Sequence, residues 1–227
     1  MSKTIVITGG SDGLGKEMGI ELSKDNTVIL LARNEEKLKE ISNNTNAIYY
    51  VCDITKYDEV KQVIDSILNQ HKKIDILINN AGAQVNGELE NITTEEIERV
   101  VDLNVKGLLN ITKAVIPNMK QNKKGLIINI NSQAGLYYKA ERSVYHGSKW
   151  AITGITGSLQ AEVSKYGIRV TGVYPGALEV GILLDGVKTL REKPSISYKE
   201  VINLIKYIIN TPDDVLIPEV GIKNINN

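Results

Sequence analysis

The sequence has little cysteine and no excess of either charge. One of its 227 residues is cysteine, Cys52, so the chain cannot form an internal disulfide bond, and a reducing compartment suits it. Lys and Arg together number 27, as do Asp and Glu. This balance argues against a nucleic-acid-binding surface built on basic residues and against an acidic disordered arm. We therefore expect a cytoplasmic protein with no nucleic-acid partner.

Long hydrophobic runs are also missing. The N-terminal stretch MSKTIVITGG has only a short apolar run before its glycines, and no later stretch approaches the roughly 20 apolar residues of a membrane span. Hydrophobic residues still make up 42% of the chain and charged residues 24%, which is typical of a globular protein with a buried core. We expect one domain over residues 1–227 and no membrane association, although length alone also allows two small domains.

Short apolar runs rich in β-branched residues alternate with helix-length amphipathic segments. The near-continuous apolar character of the runs is typical of strands covered on both faces. This alternation predicts an α/β, doubly wound Rossmann fold: a mostly parallel seven-stranded sheet with helices on both faces. The predicted strands are 4–8, 27–32, 47–52, 74–80, 125–130, 168–175 and 215–220. The predicted helices are 14–24, 35–43, 57–71, 94–120, 143–165 and 198–210.

Three of these helices have a predicted start signal. Thr93 with Glu96 and Ser197 with Glu200 have the spacing of a capping box, in which each residue satisfies a free backbone N–H of the other. Thr55 with Asp58 is a third, weaker example. The segment 178–197, by contrast, shows no clear period, and we expect a long excursion between the sixth strand and the last helix.

The first predicted strand leads into the glycine-rich stretch TGGSDGLG, residues 8–15. Gly9, Gly13 and Gly15 would allow a tight turn into the next helix, whose N-terminal N–H groups attract a pyrophosphate. An ordinary turn between strand and helix also recruits glycine, so the cluster alone decides little. Its position after the first strand of a βαβ series favours dinucleotide binding.

A second stretch, SVYHGSKW at 143–150, carries Tyr145 and Lys149. Four residues are about one helical turn, so both side chains would project from one helix face. A Tyr-x-x-x-Lys spacing on its own is more often surface or core than a catalytic pair. The rest of the sequence has to decide between these interpretations.

Taken together, the motifs resemble the classical short-chain dehydrogenase/reductase family, whose fingerprint is T-G-x-x-x-G-x-G. The resemblance recurs in order over almost the whole chain. Ser132 lies thirteen residues before Tyr145, which is the family's Ser–Tyr spacing. The other matches are Asp53 in VCDIT, the NNAG segment at 79–82, Asn104 in DLNVKG, which matches the family's helix-kinking asparagine, and Pro175–Gly176 after the sixth strand. Six matches in register make the resemblance specific.

The resemblance implies a site without metal. It implies four catalytic residues: Asn104, Ser132, Tyr145 and Lys149. It also implies a nicotinamide cofactor site formed by Gly9, Ser11, Asp12, Gly13, Leu14, Gly15, Arg33, Asp53, Ile54, Asn80, Ala81, Gly82, Tyr145, Lys149, Pro175, Gly176 and Val180.

These residue types suit hydride transfer to or from a carbonyl. A tyrosine pKa of about 10 is too high for proton transfer at neutral pH, and a nearby ammonium such as Lys149 lowers it. Ser132 would hydrogen-bond the substrate oxygen, and Asn104 would hold a water that links Lys149 to solvent. Ser132 could instead cap the next segment, and Asn104 could be a solvent-exposed helix residue. His146 is turned about 100° from Tyr145 on a helix, so we expect no general-base role.

The choice of cofactor depends on the end of the second strand. Ala32 stands where an NAD enzyme usually carries an acid, and Arg33 follows it. A guanidinium pairs well with a phosphate, so we expect NADP(H) rather than NAD(H), with Ser11 as a further donor. Asp12 argues against this, because many NADP-preferring relatives carry a base there. Arg33 could also be a solvated cation at the start of a helix.

The sequence departs from the family pattern at two places. Val180 stands where the family usually has a threonine that contacts the nicotinamide carboxamide. The C-terminus IPEVGIKNINN lacks the D-G-G-like turn of many tetrameric relatives, so we expect a homodimer through helices 94–120 and 143–165, with a homotetramer as the alternative. We expect 178–197 to form a substrate lid, and Tyr137–Tyr138 either to line the cleft or to pack under that lid.

The resulting hypothesis is an NADP(H)-dependent carbonyl reductase or alcohol dehydrogenase acting on a small-molecule carbonyl or alcohol. A nucleotide-sensing protein without turnover and an epimerase or isomerase on the same scaffold are the alternatives. The sequence does not identify the substrate.

Overall fold

The centre of the computed structural model, which describes residues 2–179 and 194–226, is a parallel sheet of seven strands. The strand order is β3-β2-β1-β4-β5-β6-β7, and every neighbouring pair runs parallel. This confirms the predicted doubly wound Rossmann fold. The strands are β1 (Thr4–Thr8), β2 (Thr27–Ala32), β3 (Ile48–Val51), β4 (Ile76–Asn79), β5 (Gly125–Ile130), β6 (Ile168–Pro175) and β7 (Glu219–Ile222).

Helices cover both faces of this sheet. Ile5 and Ile7 of β1 point into one core with α1, α2 and α7, whereas Val6 points into the other with α3, α5 and α6. Because successive strand residues face opposite sides and both sides are covered, the strands read as unbroken apolar runs. The α-helices are α1 (Gly13–Leu22), α2 (Glu35–Asn43), α3 (Tyr57–His71), α4 (Thr94–Val101), α5 (Leu108–Asn122), α6 (Ser143–Val163) and α7 (Tyr198–Asn210).

The single helix predicted over 94–120 is wrong in one respect. A π-helical turn, Asp102–Gly107, separates α4 from α5. At Gly107 an added Cβ would lie 2.8 Å from Cγ1 of Ile54, so the backbone approaches the loop after β3 more closely than a side chain would allow. Continuous amphipathic periodicity did not indicate this interruption.

The helix start signals were right in two cases and wrong in one. Both predicted capping boxes form, Thr93 with Glu96 and Ser197 with Glu200. Thr55 instead donates its hydroxyl and its backbone N–H to Asp53, and α3 begins after Lys56 without a side-chain cap.

The seventh strand begins later than predicted. Val215 uses its N–H in a turn to Pro212, and Pro218 has no N–H to contribute. Regular pairing with β6 therefore starts at Glu219 rather than at 215. In the described ranges 2–179 and 194–226, no helix is both long and apolar enough to cross a membrane.

The strand order places the site. The chain proceeds outward from β1 to β2 and β3, and then crosses back to β4, β5 and β6 on the other side of β1. In such sheets, ligands bind at the carboxyl ends of the strands where the order reverses, which is here between β1 and β4.

Candidate active site

The loops after β1 and β4 lie against each other at this crevice. Gly9 has a φ of +67°, and an added Cβ there would lie 2.8 Å from Cα of Ala81. The Thr8 hydroxyl accepts hydrogen bonds from the N–H groups of Asn80 at 3.0 Å and Ala81 at 3.1 Å. Two of the predicted cofactor segments, about 70 residues apart in the chain, are thus brought together.

The glycine-rich loop turns directly into α1. Asp12 caps the helix by accepting the Gly13 N–H at 2.8 Å. A Cβ at Gly15 would lie 2.1 Å from the carbonyl oxygen of Gly9, so only glycine can close this turn. The first turn of a helix offers N–H groups that the helix itself does not use. A glycine turn with helix N–H groups at its mouth fits the pyrophosphate of a dinucleotide.

The loops after β2 and β3 form the neighbouring part of the crevice. Arg33 is exposed, directly after β2. Burial would raise the pKa of Asp53, but hydrogen bonds from Thr55, together with the charges of Arg33 and Lys56, hold it below its ordinary value. The Ile54 side chain is buried, and its carbonyl accepts a hydrogen bond from Asn110 at 3.0 Å.

Lys149 is buried between α6 and the end of β5. Its ammonium donates to the carbonyl of Ile130 at 3.2 Å and lies 5.9 Å from the ring centre of Tyr145. It is also 3.9 Å from where a Cβ would stand on Gly82. Burial lowers the pKa of Lys149 from 10.5 to about 8. The structure therefore brings the Tyr–Lys pair to the loop after β4.

Asn104 lies in the π-helical turn and is 1% exposed, so the alternative of an exposed helix residue is wrong. Its Oδ1 accepts the Ala83 N–H at 2.7 Å, and its Nδ2 donates to the Ala83 carbonyl at 2.8 Å and to the Ser148 hydroxyl at 2.9 Å. Both amide hydrogens are thus used by the protein. Any water relay at this position has to rely on the second lone pair of Oδ1 or on backbone carbonyls of the π-helical turn.

Ser148 was missed by the sequence reasoning, although it stands next to Lys149. Its hydroxyl donates to the carbonyl of Tyr145 at 2.7 Å while it accepts from Asn104. Ser148 therefore connects the π-helical turn to the helix that carries the Tyr–Lys pair. Only the folded chain reveals this contact, because Asn104 and Ser148 are 44 residues apart.

Ser132 ends the segment that follows β5. Its hydroxyl accepts the Ala134 N–H at 3.1 Å and caps a short 3₁₀ turn, Gln133–Gly135. The capping alternative is thus present in the structure, but a hydroxyl that accepts one bond can still donate its proton to a substrate oxygen. The neighbouring Asn131 donates to the Lys149 carbonyl at 3.1 Å, which ties this segment to α6.

The aromatic residues near Tyr145 in sequence form separate contacts. His146 Nδ1 is 2.7 Å from the Tyr137 carbonyl, and because a carbonyl only accepts, Nδ1 carries the proton. The rings of Tyr145 and His146 meet edge to face at 6.1 Å. Tyr138 is exposed and stacks on Trp150 with ring centres 5.3 Å apart, so it packs on α6.

The predicted excursion 178–197 is closed at its base. Glu179 N–H donates to the Ile196 carbonyl at 3.0 Å, and Ile196 N–H donates to Ala177 at 2.9 Å. Val180 and most of the predicted lid lie outside the described residues.

The segments on either side of this excursion are also anchored. Before it, Gly176, directly after Pro175, donates its N–H to Ile222 at 2.8 Å. After it, the Tyr198 hydroxyl lies 3.4 Å from where a Cβ would stand on Gly13. No local pattern indicates this last contact, because 185 residues separate the two.

Comparison with known proteins agrees with this arrangement. A family model described as short chain dehydrogenase matches residues 3–188. This match includes the glycine-rich loop, the π-helical turn and the Tyr–Lys pair.

Individual relatives extend the similarity to most of the chain. An uncharacterised oxidoreductase of Listeria monocytogenes is 32% identical over 96% of this chain and 94% of its own. An NADPH-dependent pterin aldehyde reductase of Arabidopsis thaliana is 35% identical over 80% of this chain and 77% of its own. The closed form of a serine dehydrogenase complexed with NADP⁺ has a TM-score of 0.92 at 25% identity, covering 99% of this chain and 96% of that one.

Proposed function

The chain belongs to the short chain dehydrogenase family, and on that premise we propose that it is an NADP(H)-dependent oxidoreductase that interconverts a carbonyl compound and an alcohol. One observation carries the proposal above the others. The buried ammonium of Lys149 lies beside the Tyr145 ring and the Gly82 backbone, where the strand order reverses. Burying a cation costs free energy, and ionisable groups with strongly shifted pKa values cluster at functional sites.

The roles of the residues follow from this geometry. The α1 N-terminus and the loop after β4 would hold the dinucleotide, which would supply or accept the hydride when bound. Tyr145 passes a proton to or from the substrate oxygen, and the Lys149 ammonium favours its phenolate form. Ser132 donates a hydrogen bond to the same oxygen and shares the charge that develops there. Asn104 and Ser148 position the helix that carries the pair.

The preference for NADP(H) is supported by the second strand and by two relatives. Ala32 leaves no carboxylate at the end of β2, and Arg33 follows it in an exposed position. The relatives named for NADPH or solved with NADP⁺ are consistent with this choice. The phosphate that distinguishes NADP(H) from NAD(H) would pair with the guanidinium.

We also propose that the protein acts as a homodimer in the cytoplasm. The outer face of α6 carries Trp150, which is 37% exposed, and Gly154 and Gly157, around which a Cβ would meet nothing within 4 Å. Such an open, small-residue face suits packing against a second copy. Cys52 is buried, and burial raises the pKa of its thiol to about 11, so it suits a compartment without disulfide chemistry.

The decisive test follows NADPH absorbance across a panel of ketones and aldehydes. We expect turnover by the wild type, and a fall in kcat/KM of about 10²- to 10⁴-fold in Tyr145→Phe, because the general acid is lost. Tyr207→Phe, which alters an exposed tyrosine on α7, is the matched control and should leave kcat/KM unchanged. Undiminished reduction by Tyr145→Phe would show that the mechanism is wrong. A wild type that binds NADPH but reduces nothing would favour a sensor.

A further inference from the structure

We propose that Lys37 is a specificity-determining residue for NADP(H), and that Asp12 holds its ammonium where the adenosine 2′-phosphate binds. This inference rests on the proposed function and deepens it. It also gives a role to the acid at position 12, which by itself argues against NADP(H).

The position of Lys37 is fixed at both ends of the residue. Its backbone N–H donates to the Asn34 side chain at 3.0 Å, as part of the cap that starts α2. Its ammonium reaches across to Asp12 Oδ2 at 2.6 Å. The other oxygen of Asp12 caps α1 through Gly13. One carboxylate therefore joins the starts of two helices and points a lysine at the glycine-rich loop.

This location is the adenosine end of the crevice. The N–H groups of Gly9 and Gly10 donate to the Leu31 carbonyl at 2.8 and 3.2 Å, so the glycine-rich loop and the end of β2 are tied together. In Rossmann folds, the residue group at the end of this strand recognises the ribose 2′ position. Arg33 directly follows that strand, and Lys37 lies in the first turn of α2, which begins two residues later.

The charges explain why one cation would not suffice. A phosphate monoester carries close to two negative charges at neutral pH, and Asp12 adds a third beside it. The charge of Arg33 also acts on Asp53, whose pKa it helps to lower. Lys37 offsets Asp12 and leaves its ammonium free to donate further hydrogen bonds, since it has three donors.

The ion pair contributes little to the fold itself. The side chains of Lys37 and Asp12 are 46% and 50% exposed, and exposed pairs typically contribute about 0–1 kcal/mol. Removal of the Lys37 ammonium, or of the Asp12 charge with its helix cap retained, should therefore leave thermal unfolding without cofactor nearly unaltered. An effect on NADPH binding can then be assigned to the ligand.

The test measures the dissociation constants of NADPH and NADH, which differ only in the 2′-phosphate. Lys37→Ala should weaken NADPH binding about 10- to 100-fold, as expected for a charge-assisted hydrogen bond, and NADH binding less than about twofold. Lys37→Arg should keep the preference. Lys39→Ala is the matched control, because Lys39 is an exposed lysine two residues further along α2 and should leave both constants unchanged.

A second variant separates attraction from repulsion. Asp12→Ser retains an N-cap side chain while removing the charge. The double variant, Asp12→Ser with Lys37→Ala, should bind NADPH more tightly than Lys37→Ala alone, because the negative charge at position 12 no longer repels the 2′-phosphate. Equal changes in NADPH and NADH binding by Lys37→Ala, or no change in either, would overturn the inference while leaving the proposed reaction intact. A wild type that binds neither dinucleotide would overturn the proposed function, and this inference with it.

Discussion

At the scale of single residues, the most informative feature is a lysine kept out of water. Lys149 is 6% exposed, and burial lowers its pKa from 10.5 to about 8. The folded state therefore releases this proton more readily than the unfolded chain does. Below pH 8 the buried ammonium beside Tyr145 lowers the free energy of unfolding. This destabilisation decreases as the pH rises from about 8 towards 10.5.

Lys149→Met should accordingly stabilise the protein while abolishing efficient turnover. The pKa difference between 10.5 and about 8 corresponds to about 3 kcal/mol, the upper limit for the gain in the free energy of unfolding at pH 7. The difference in unfolding free energy between the variant and the wild type should narrow between pH 8 and 9.5. In this range the unfolded wild type still binds the proton that the folded wild type has lost. Urea unfolding at several pH values without cofactor measures this gap.

A matched control for this prediction is Lys139→Met, which alters an exposed lysine. The difference in unfolding free energy between Lys139→Met and the wild type should not narrow between pH 8 and 9.5. Equal stability of Lys149→Met and wild type at every pH would mean that the ammonium is hydrated rather than buried.

At the scale of elements, the site depends on a junction between the π-helical turn and α6. Asn104 from the turn and the Tyr145 carbonyl from α6 meet at the Ser148 hydroxyl, which is buried. Because the peptide groups around Tyr145 are held by this contact, the ring direction depends on an element remote in sequence. Ser148 acts through its neighbours and is a positioning residue.

Ser148→Ala should therefore lower kcat about 10-fold while changing the KM for NADPH less than twofold, as expected when transition-state geometry is lost and cofactor binding is kept. The unfolding free energy should fall by about 1–3 kcal/mol, because one amide hydrogen of Asn104 is left buried without its acceptor. Steady-state kinetics and urea unfolding measure the two effects.

Gln70→Ala, an exposed change on α3 away from this junction, should alter neither quantity. A variant at 148 that is destabilised but retains full kcat would show that the junction serves the fold alone.

The elements also show what the sequence could predict and why. The capping boxes at Thr93 and Ser197 are local patterns, and both were predicted correctly. The π-helical turn has no such local pattern, and only the family match at Asn104 implied a kink there; its Gly107 lies against Ile54, a contact between distant segments. Tyr145 and Lys149 are recognisable because both belong to one helical turn and match a family motif. Lys37 and Ser148 contact partners 25 and 44 residues away, which no local pattern reveals.

At the scale of the whole molecule, the sheet was the most predictable part. The seven predicted apolar runs correspond to the seven strands, because strands covered on both faces of a parallel sheet are apolar along almost their whole length. The weakest prediction was β7, which is a short edge strand with exposed residues and so has little apolar signal. The proposed dimer depends on the outer surface of α6.

The dimer predicts that a charge on the α6 surface separates the copies. Gly154→Glu places a carboxylate in a position that has open space in one chain but would be covered by a second, so it should convert a particle of twice 25.0 kDa into one of 25.0 kDa. Light scattering after size exclusion measures the mass. Gln62→Glu, an exposed change on α3, should leave the dimer intact. If Gly154→Glu keeps the mass of the wild type, the copies meet elsewhere, since a buried uncompensated carboxylate would not be tolerated in a close-packed interface.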